Sequence, residues 1–273
     1  METCKSKNPK ISIVIPTLNE EKNIANLLFS LNTQSFRDFE TIIVDGGSSD
    51  NTIPKARKFG AITIVKPGLK EFPSRNEGVK IARGEILLFT GADVVMLEKT
   101  LETIVNEFEK NKVDGLCAFG RIRDAPLWGK MEYYLHYSLL RLWIKFTGDF
   151  HGSTNFMALR TEEFKKIGGF KSRIDADGNL LNSFANNRKV EFLDGTKYFL
   201  VSGRRMRKMG FFNFNFHFLY MLDIFFPFLR ESKIINMLKR VSASYRASEF
   251  KNNSGNFKHG VENISRVGET TET

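Results

Sequence analysis

The first 120 residues alternate short apolar runs with helical patterns, and this alternation constrains the fold more than any other feature of the sequence. Between the runs, apolar residues recur at helical spacing, as at Ile24, Leu27, Leu28 and Leu31. Strands that alternate with helices predict an α/β protein. Its sheet is expected to be doubly wound and mostly parallel, of the Rossmann-like type. The predicted strands are residues 11–15, 41–44, 62–65, 85–90 and 116–119.

Acidic side chains follow three of these strands at their carboxyl ends. They are Glu20, Asp45 and Asp93, and ligands of doubly wound sheets bind at such strand ends. A carboxylate there can hydrogen-bond a base or ribose, or bind a divalent cation. Asn19 is also suited to cap the helix that follows it. The chain has neither GxxxxGK[ST] nor GxGxxG, which argues against a P-loop NTPase and a Rossmann dehydrogenase.

The positive charge is concentrated in two segments. The formal net charge is +10, and residues 121–146 contribute +3 while residues 203–251 contribute +7. Both segments are rich in aromatic residues, and residues 211–229 alone contain eight Phe. This pattern suits an anionic membrane surface or a nucleic-acid strand, or else an ordinary basic surface beside a core helix.

Composition also excludes several classes of protein. A hydrophobic fraction of 41% is too high for a disordered chain. Cys4 and Cys117 are too few for a disulfide scaffold or a zinc cluster. No 18-residue run is free of polar residues, and the first ten residues lack the apolar segment of a secretory signal. We therefore expect a cytoplasmic, reduced protein.

An ordered set of motifs resembles the family 2 glycosyltransferases, which have the GT-A fold. The segments that carry the resemblance are IVIPTLNEE, IIVDGGSSDNT, SRNEGVKIARGEILLFTGAD and GSTNFMALRTEEFKKIGGF. The resemblance covers roughly residues 9–205 and implies a nucleotide-sugar-dependent enzyme. It divides a domain of residues 1–205 into a nucleotide-sugar-binding half, 9–120, and an acceptor and catalytic half, 121–205.

The resemblance implies a donor site and a divalent cation, Mg²⁺ or Mn²⁺. Gly91-Ala92-Asp93 stands where the family has Asp-x-Asp, so Ala92 and Asp93 would contact the donor and Asp93 would bind the metal. Arg204 and Arg205 would neutralise the departing diphosphate. The other implied donor contacts are Pro16, Thr17, Asn19, Glu20 and Asp45 for the base and ribose, and Arg75 and Asn76, which would close over the nucleotide.

The same resemblance implies an inverting reaction with an aspartate as general base. Gly168-Gly169-Phe170 is present, and residues 176–180 occupy the position of the family's Glu-Asp-x-Asp-Leu. Asp177 is then the base and Asp175 the second candidate. His151 is a candidate metal ligand or acceptor-site residue. The chain lacks Gln-x-x-Arg-Trp, which argues against a processive synthase.

The C-terminal part predicts amphipathic helices at a membrane. Residues 216–229 are apolar and aromatic but too short to span a bilayer. We predict that basic helices within residues 206–251 attach the protein to the inner face of the cell membrane, with a disordered tail over 252–273. The expected acceptor is lipid-linked or a saccharide. Alternatives are a dimer interface or a core helix for the apolar segment, and a catalytically degenerate GT-A scaffold or a nucleic-acid-binding protein for the whole chain.

Overall fold

The computed structural model describes residues 8–148, 155–171, 176–185 and 188–218, and for residues 176–179 and 212–218 only the backbone. The strands within these ranges are β1 (Ile11–Thr17), β2 (Phe39–Asp45), β3 (Ile62–Val65), β4 (Ile86–Phe89), β5 (Val94–Met96), β6 (Gly115–Ala118), β7 (Arg121–Arg123), β8 (Met157–Arg160), β9 (Val190–Leu193) and β10 (Phe199–Ser202). The helices are α1 (Ile24–Asn32), α2 (Thr52–Lys58), α3 (Glu71–Ile81), α4 (Thr100–Glu109), α5 (Leu127–Thr147), α6 (Thr161–Ile167), α7 (Ala176–Ala185) and α8 (Arg204–Phe218).

Seven of the strands form a central sheet in the order β3-β2-β1-β4-β8-β6-β9. The first four are parallel neighbours, β6 and β9 are also parallel, and β8 runs antiparallel to both β4 and β6. The predicted α/β class and mostly parallel sheet are confirmed. Strand order reverses between β1 and β4, and this reversal opens a crevice at their carboxyl ends where ligands of doubly wound sheets bind.

Side chains that alternate along β1 pack on opposite faces of this sheet. Ile11, Ile13 and Ile15 lie in a core cluster with the apolar faces of α1 and α4. Val14 faces the other way, into a second cluster with α3, α6 and α7. Helix α3 approaches closely because residue 78 is glycine, since a Cβ there would lie 2.5 Å from Val14 Cγ1. Both faces of the sheet are therefore covered, which fixes the strand ends that carry the site.

A second sheet of three short strands, in the order β5-β10-β7, lies beside the first. Its last strand, β10, leads directly into α8, which begins at Arg204. Helix α8 has a break at Gly210, where φ is 70° and ψ is 173°. The predicted division between residues 205 and 206 falls inside α8, and residues 219–273 lie outside the described residues. Within the described part of the chain, no helix is both long and apolar enough to cross a membrane.

The helix after β1 begins later than the sequence predicts. Its first residue is Ile24 and its N-cap position is Asn23, so the prediction that Asn19 caps this helix is wrong. Asn19 has a φ of 53°, in the left-handed region, which asparagine enters more readily than most residues. The polypeptide therefore makes a turn over residues 19–23, and this turn positions Asn19 and Glu20 at the edge of the sheet.

Candidate active site

The loops after β1 and β2 are held together by the carboxylate of Asp45. Its Oδ1 accepts hydrogen bonds from the backbone N–H groups of Gly47 (2.9 Å) and Ser48 (2.6 Å). Its Oδ2 accepts from the hydroxyls of Thr17 (2.8 Å) and Ser48 (2.6 Å). The side chain is fully buried. In this structure Asp45 is thus engaged by four protein donors and fixes the shape of the loop, while its predicted contact to a base stays a prediction.

Asn19 joins the same two loops through two hydrogen bonds. Its N–H donates to Ser48 Oγ at 2.8 Å, and its Oδ1 accepts from the N–H of Ser49 at 2.9 Å. Strands β1 and β2, which precede these loops, are parallel neighbours, and Pro16 pairs with Val44 between them. The structure therefore brings the predicted base and ribose contacts to one edge of the sheet: Pro16, Thr17, Asn19, Glu20 and Asp45.

Arg204 connects the acids that follow β1 and β4. Its two terminal nitrogens donate to the carboxylate oxygens of Glu20 at 2.8 and 2.6 Å. Its Nε lies 3.3 Å from Asp93 Oδ2. Both acids are largely buried, whereas the Arg204 side chain is half exposed. Three residues predicted as donor contacts thus meet in one charged cluster at the reversal of strand order.

The electrostatics of this cluster act on Asp93. Burial raises the pKa of Asp93 above its usual value, because removing the carboxylate from water disfavours its charged form. The Arg204 guanidinium opposes this rise, the charge of Glu20 adds to it, and exposed Arg205 opposes it more weakly. Positive charge beside Asp93 therefore favours its ionised form, and a bound divalent cation would act in the same direction.

The residues present fit a hard divalent cation with few protein ligands. Within the described ranges, no three His, Cys, Asp or Glu side chains converge as a metal cluster. Asp93 offers a carboxylate, and carboxylate and amide oxygens are the ligands that Mg²⁺ and Mn²⁺ prefer. Mg²⁺ usually keeps one or two carboxylates and takes its other ligands from phosphate and water. A site built on Asp93 matches that pattern.

Gly91, at the first position of the Asp-x-Asp motif, leaves room for Asn155, which lies two residues before β8. A Cβ on Gly91 would lie 3.0 Å from Asp93 Oδ1 and 3.1 Å from Asn155 Oδ1. The hydroxyl of Thr90 donates to the Asn155 carbonyl at 3.0 Å, which ties the two segments together. The amide oxygen of Asn155 and a carboxylate oxygen of Asp93 therefore both border the space that the side chain of a first aspartate would enter.

The sequence motifs assign no functional role to Asn155, although strand register places it opposite Gly91. Strand β8 is antiparallel to β4, with Phe89 opposite Met157. Continuing this register by two residues sets Gly91 opposite Asn155. The signal was therefore available once β8 was known to be antiparallel to β4, but the apolar pattern of the strand does not specify its direction.

Arg75 holds the backbone that directly follows β4. It is almost completely buried in α3, and its guanidinium donates to the carbonyl of Thr90 at 3.1 Å. It also pairs with Glu71 at 3.0 Å, one turn earlier in the helix. The group therefore orients the residue that precedes Gly91. Its predicted closure over the nucleotide stays a prediction.

Asn76 fixes the turn of Gly168-Gly169-Phe170. Its Nδ2 donates to the Phe170 carbonyl at 2.8 Å, and its Oδ1 accepts from the Phe170 N–H at 2.9 Å. Gly169 has a φ of 80°, and a Cβ there would lie 2.7 Å from Asn76 Oδ1. Both ends of the amide are thus used to hold a backbone segment, and its predicted nucleotide contact stays a prediction.

Of the remaining predicted residues, one lies beside Asp93, one has only its backbone described, and two lie outside the described residues. Ala92 is buried beside Asp93. Asp177 lies in the first turn of α7, where only the backbone is described. Asp175 and His151 lie outside the described residues. The described geometry therefore brings residues predicted to bind the donor, among them Glu20, Asp93 and Arg204, to one edge of the sheet.

Comparison with known proteins agrees with this architecture. The mannosyltransferase PcManGT from Pyrobaculum calidifontis, in complex with GDP-Man and Mn²⁺, is similar with a TM-score of 0.58 at 22% identity, over 72% of this chain and 57% of that one. Residues 1–349 of Staphylococcus aureus TarS, in complex with UDP-GlcNAc, are similar with a TM-score of 0.56 at 22% identity, over 91% of this chain and 73% of that one. These likenesses confirm the GT-A fold.

Sequence comparison gives the family. A PGL/p-HBAD biosynthesis glycosyltransferase of Mycobacterium bovis is 38% identical over 96 residues, which cover 33% of this chain and 38% of the relative. The chain thus matches less than two fifths of that relative's length. The model of Glycosyl transferase family 2 matches residues 12–168, more than half of the chain, and the matched range contains Glu20, Asp45, Asp93 and the Gly91–Asn155 pair. The chain therefore belongs to Glycosyl transferase family 2.

Proposed function

We propose that the protein transfers a sugar from a nucleoside-diphosphate sugar to an acceptor hydroxyl, with inversion at the anomeric carbon. The observation that carries the proposal is the cluster of Glu20, Asp93 and Arg204 at the reversal of strand order. Its acids suit a metal and a ribose, and its arginine suits a diphosphate. Family membership and two neighbours whose structures hold GDP-Man and UDP-GlcNAc support this reading.

The donor half would act through positioning and charge. Arg204 and Arg205 would move toward the diphosphate oxygens as the sugar–phosphate bond breaks, since a guanidinium stabilises the charge that develops on the leaving group. Asp93, with the amide oxygen of Asn155 beside it, would hold the divalent cation, which supplies further positive charge to the diphosphate when bound. Mn²⁺ in the PcManGT structure supports a cation for this fold.

The acceptor half would supply the base. In a single displacement, the acceptor oxygen attacks the anomeric carbon, the bond to the diphosphate breaks, and the acceptor proton passes to a carboxylate. Asp177 is the proposed carboxylate and Asp175 the second candidate. Asp177→Asn keeps the shape and removes the base, so transfer should fall to background while donor binding remains. Full transfer by this variant would remove Asp177 from the role.

We also propose attachment to the inner face of a membrane and a lipid-linked or saccharide acceptor. The support is the charge of residues 219–251, which carry six basic and three acidic side chains among apolar ones. Basic residues beside apolar ones attract anionic headgroups. Replacing Lys233, Lys239 and Arg240 by glutamate in the full chain reverses three charges and should reduce flotation with anionic vesicles. Unchanged flotation would refute attachment through this segment.

The decisive experiment is a thermal-shift screen of nucleotide sugars with and without Mn²⁺, followed by a transfer assay with the sugar that binds. A ligand that binds the folded state raises the apparent melting temperature. We expect one nucleotide sugar to raise it only when Mn²⁺ is present, and expect Asp93→Ala to abolish that rise. A chain that binds no nucleotide sugar under any condition would instead be a degenerate GT-A scaffold, the second function that Gly91 favours.

A further inference from the structure

Helix α5 carries a long apolar stripe that faces solvent. Six large apolar side chains along its 21 residues are between 46% and 78% exposed, and they recur every three or four residues. The helix is about 31 Å long at 1.5 Å per residue. Its opposite face packs through Gly129, Tyr137 and Leu140. The exposed residues of this stripe are Leu127, Met131, Leu135, Leu139, Leu142 and Phe146.

Basic side chains line one edge of the stripe. Lys130, Arg141 and Lys145 are exposed, and among the described residues none of the three has a carboxylate within ion-pairing distance. Arg141 lies along the helix with its guanidinium carbon 5.7 Å from the centre of the Tyr137 ring. A groove beside the same turn is lined by Ser138, Arg141 and Lys145. An apolar face edged with cations is the pattern of a helix that lies in a membrane interface.

The charge of the stripe argues against two other occupants. A second copy of this chain packed antiparallel on the stripe would bring the same basic edge against itself, and like charges at close range are destabilising. Residues 219–251 carry a net charge of +3, so folding them over the stripe would also bring positive charge to positive charge. An anionic lipid surface complements the basic edge and buries the apolar side chains together.

The stripe is connected to the candidate active site through α8. A Cβ on Gly129 of α5 would lie 2.7 Å from the sulfur of Met206. The rings of Trp128 and Phe211 meet edge to face with centroids 5.4 Å apart. Helix α8 begins at Arg204, which contacts Glu20 and Asp93. The helix that presents the stripe is therefore packed against the helix that carries the cluster's arginine.

We propose that the exposed stripe of α5 is a membrane-docking surface that inserts into the interface of an anionic bilayer, with Lys130, Arg141 and Lys145 on lipid phosphates. The inference extends the membrane attachment proposed above, and gives it a surface within the described fold in addition to residues 219–251. It also places the bilayer beside the acceptor half of the protein, where a lipid-linked acceptor would enter.

The test compares two double variants of the full chain by flotation with phosphatidylcholine vesicles, with and without phosphatidylglycerol. Leu135→Glu/Leu139→Glu changes the stripe. Phe29→Glu/Ile81→Glu is the matched control, because its two side chains are similarly exposed on other helices and the charge change is the same. We expect the wild type and the control to float with the anionic vesicles only. We expect recovery of the stripe variant to fall about tenfold or more.

Several outcomes would overturn the inference. Equal flotation of both variants removes α5 from the membrane. Equal flotation of the wild type with neutral and anionic vesicles refutes the selection of an anionic bilayer by the basic edge. A wild-type dimer that only the stripe variant dissociates makes the stripe an interface between copies. A lower melting temperature of the stripe variant alone, without vesicles, means that the chain itself covers the stripe. The nucleotide-sugar thermal shift is measured on every variant, so loss of the proposed function is distinguished from loss of docking.

Discussion

Arg204 and Glu20 are 184 residues apart in the chain, and their side chains form a two-point ion pair with N–O distances of 2.8 and 2.6 Å. A guanidinium in this geometry presents two parallel donors to one carboxylate. The same donors match two phosphate oxygens equally well. Under the proposed function, a donor diphosphate would exchange with the Glu20 carboxylate on these two donors of Arg204.

The first prediction follows from this exchange. Arg204→Ala should lower kcat/KM for sugar transfer by about 10²–10³-fold, because one preorganised charge on the leaving group is lost. The free energy of unfolding should fall by about 1–3 kcal/mol, because the largely buried Glu20 and Asp93 lose this partner. Steady-state kinetics and urea denaturation measure the two effects.

The matched control for that prediction is Arg207→Ala. Arg207 is on the same helix, is equally exposed, and pairs with Asp124 at 3.3 Å instead of with the site acids. Its removal should leave kcat/KM within about twofold of the wild type. If the two variants lose activity equally, general charge or helix stability explains the loss, and Arg204 has no special role.

The second prediction concerns Gly91 and Asn155. Gly91→Asp alone should weaken Mn²⁺-dependent donor binding, because its side chain would crowd the oxygens of Asp93 and Asn155. The double variant Gly91→Asp/Asn155→Gly should recover binding, since it frees that space for the new carboxylate. Calorimetric titration of Mn²⁺ with the nucleotide sugar should give an interaction energy of about 1–3 kcal/mol between the sites. Strict additivity would show that the two positions act independently.

The fold was largely predictable because the sheet is built from buried strands with helices between them. Residues 62–65 were predicted with the bounds that the structure has. Strands β5 and β7 were missed, since each has only three residues and offers too short a pattern to recognise. The direction of β8 was also beyond sequence reasoning, because apolar periodicity is the same for parallel and antiparallel strands.

The site was predictable in its residues but less so in their contacts. Glu20, Asp93 and Arg204 were expected near the donor, and the structure brings them together. Asp45 and Asn76 were expected to contact the nucleotide; in the structure their side chains hold protein backbone, and the nucleotide contacts stay predictions. Asparagine and aspartate serve turns and ligands with the same hydrogen-bonding groups, so the sequence alone does not distinguish the two uses.

A third prediction tests the structural role of Asn76. Asn76→Ala should lower the free energy of unfolding by about 1–3 kcal/mol, because two backbone groups of Phe170 lose their partner. Asn76→Asp keeps the acceptor and loses the donor, so its loss of stability should be smaller at low pH, where the carboxyl regains a donor. Urea denaturation measures both. A large fall in donor affinity with unchanged stability would instead support the nucleotide contact predicted from the sequence.

The fourth prediction concerns stability away from the site, at Glu40 on β2. This nearly buried carboxylate accepts hydrogen bonds from Ser12 Oγ (2.6 Å) and the Arg83 N–H (2.8 Å), and it pairs with the Arg83 guanidinium at 2.7 Å. Burial raises the pKa of Glu40, but the bonds from Ser12 and Arg83 outweigh burial and lower it below the usual 4.5. A lowered pKa means that the folded state binds the proton more weakly than the unfolded chain does.

The pH dependence follows from this sign. The stabilisation from Glu40 is fully present above the unfolded pKa of about 4.5 and is lost as the pH falls through the lower pKa of the folded state. Glu40→Gln should therefore cost about 1–3 kcal/mol at about pH 7 and less in acid. Glu162→Gln is the control, because that acid is exposed and its pair with Lys165 spans 3.5 Å. If urea denaturation finds equal losses for the two variants at every pH, the Glu40 pair contributes nothing beyond a surface charge.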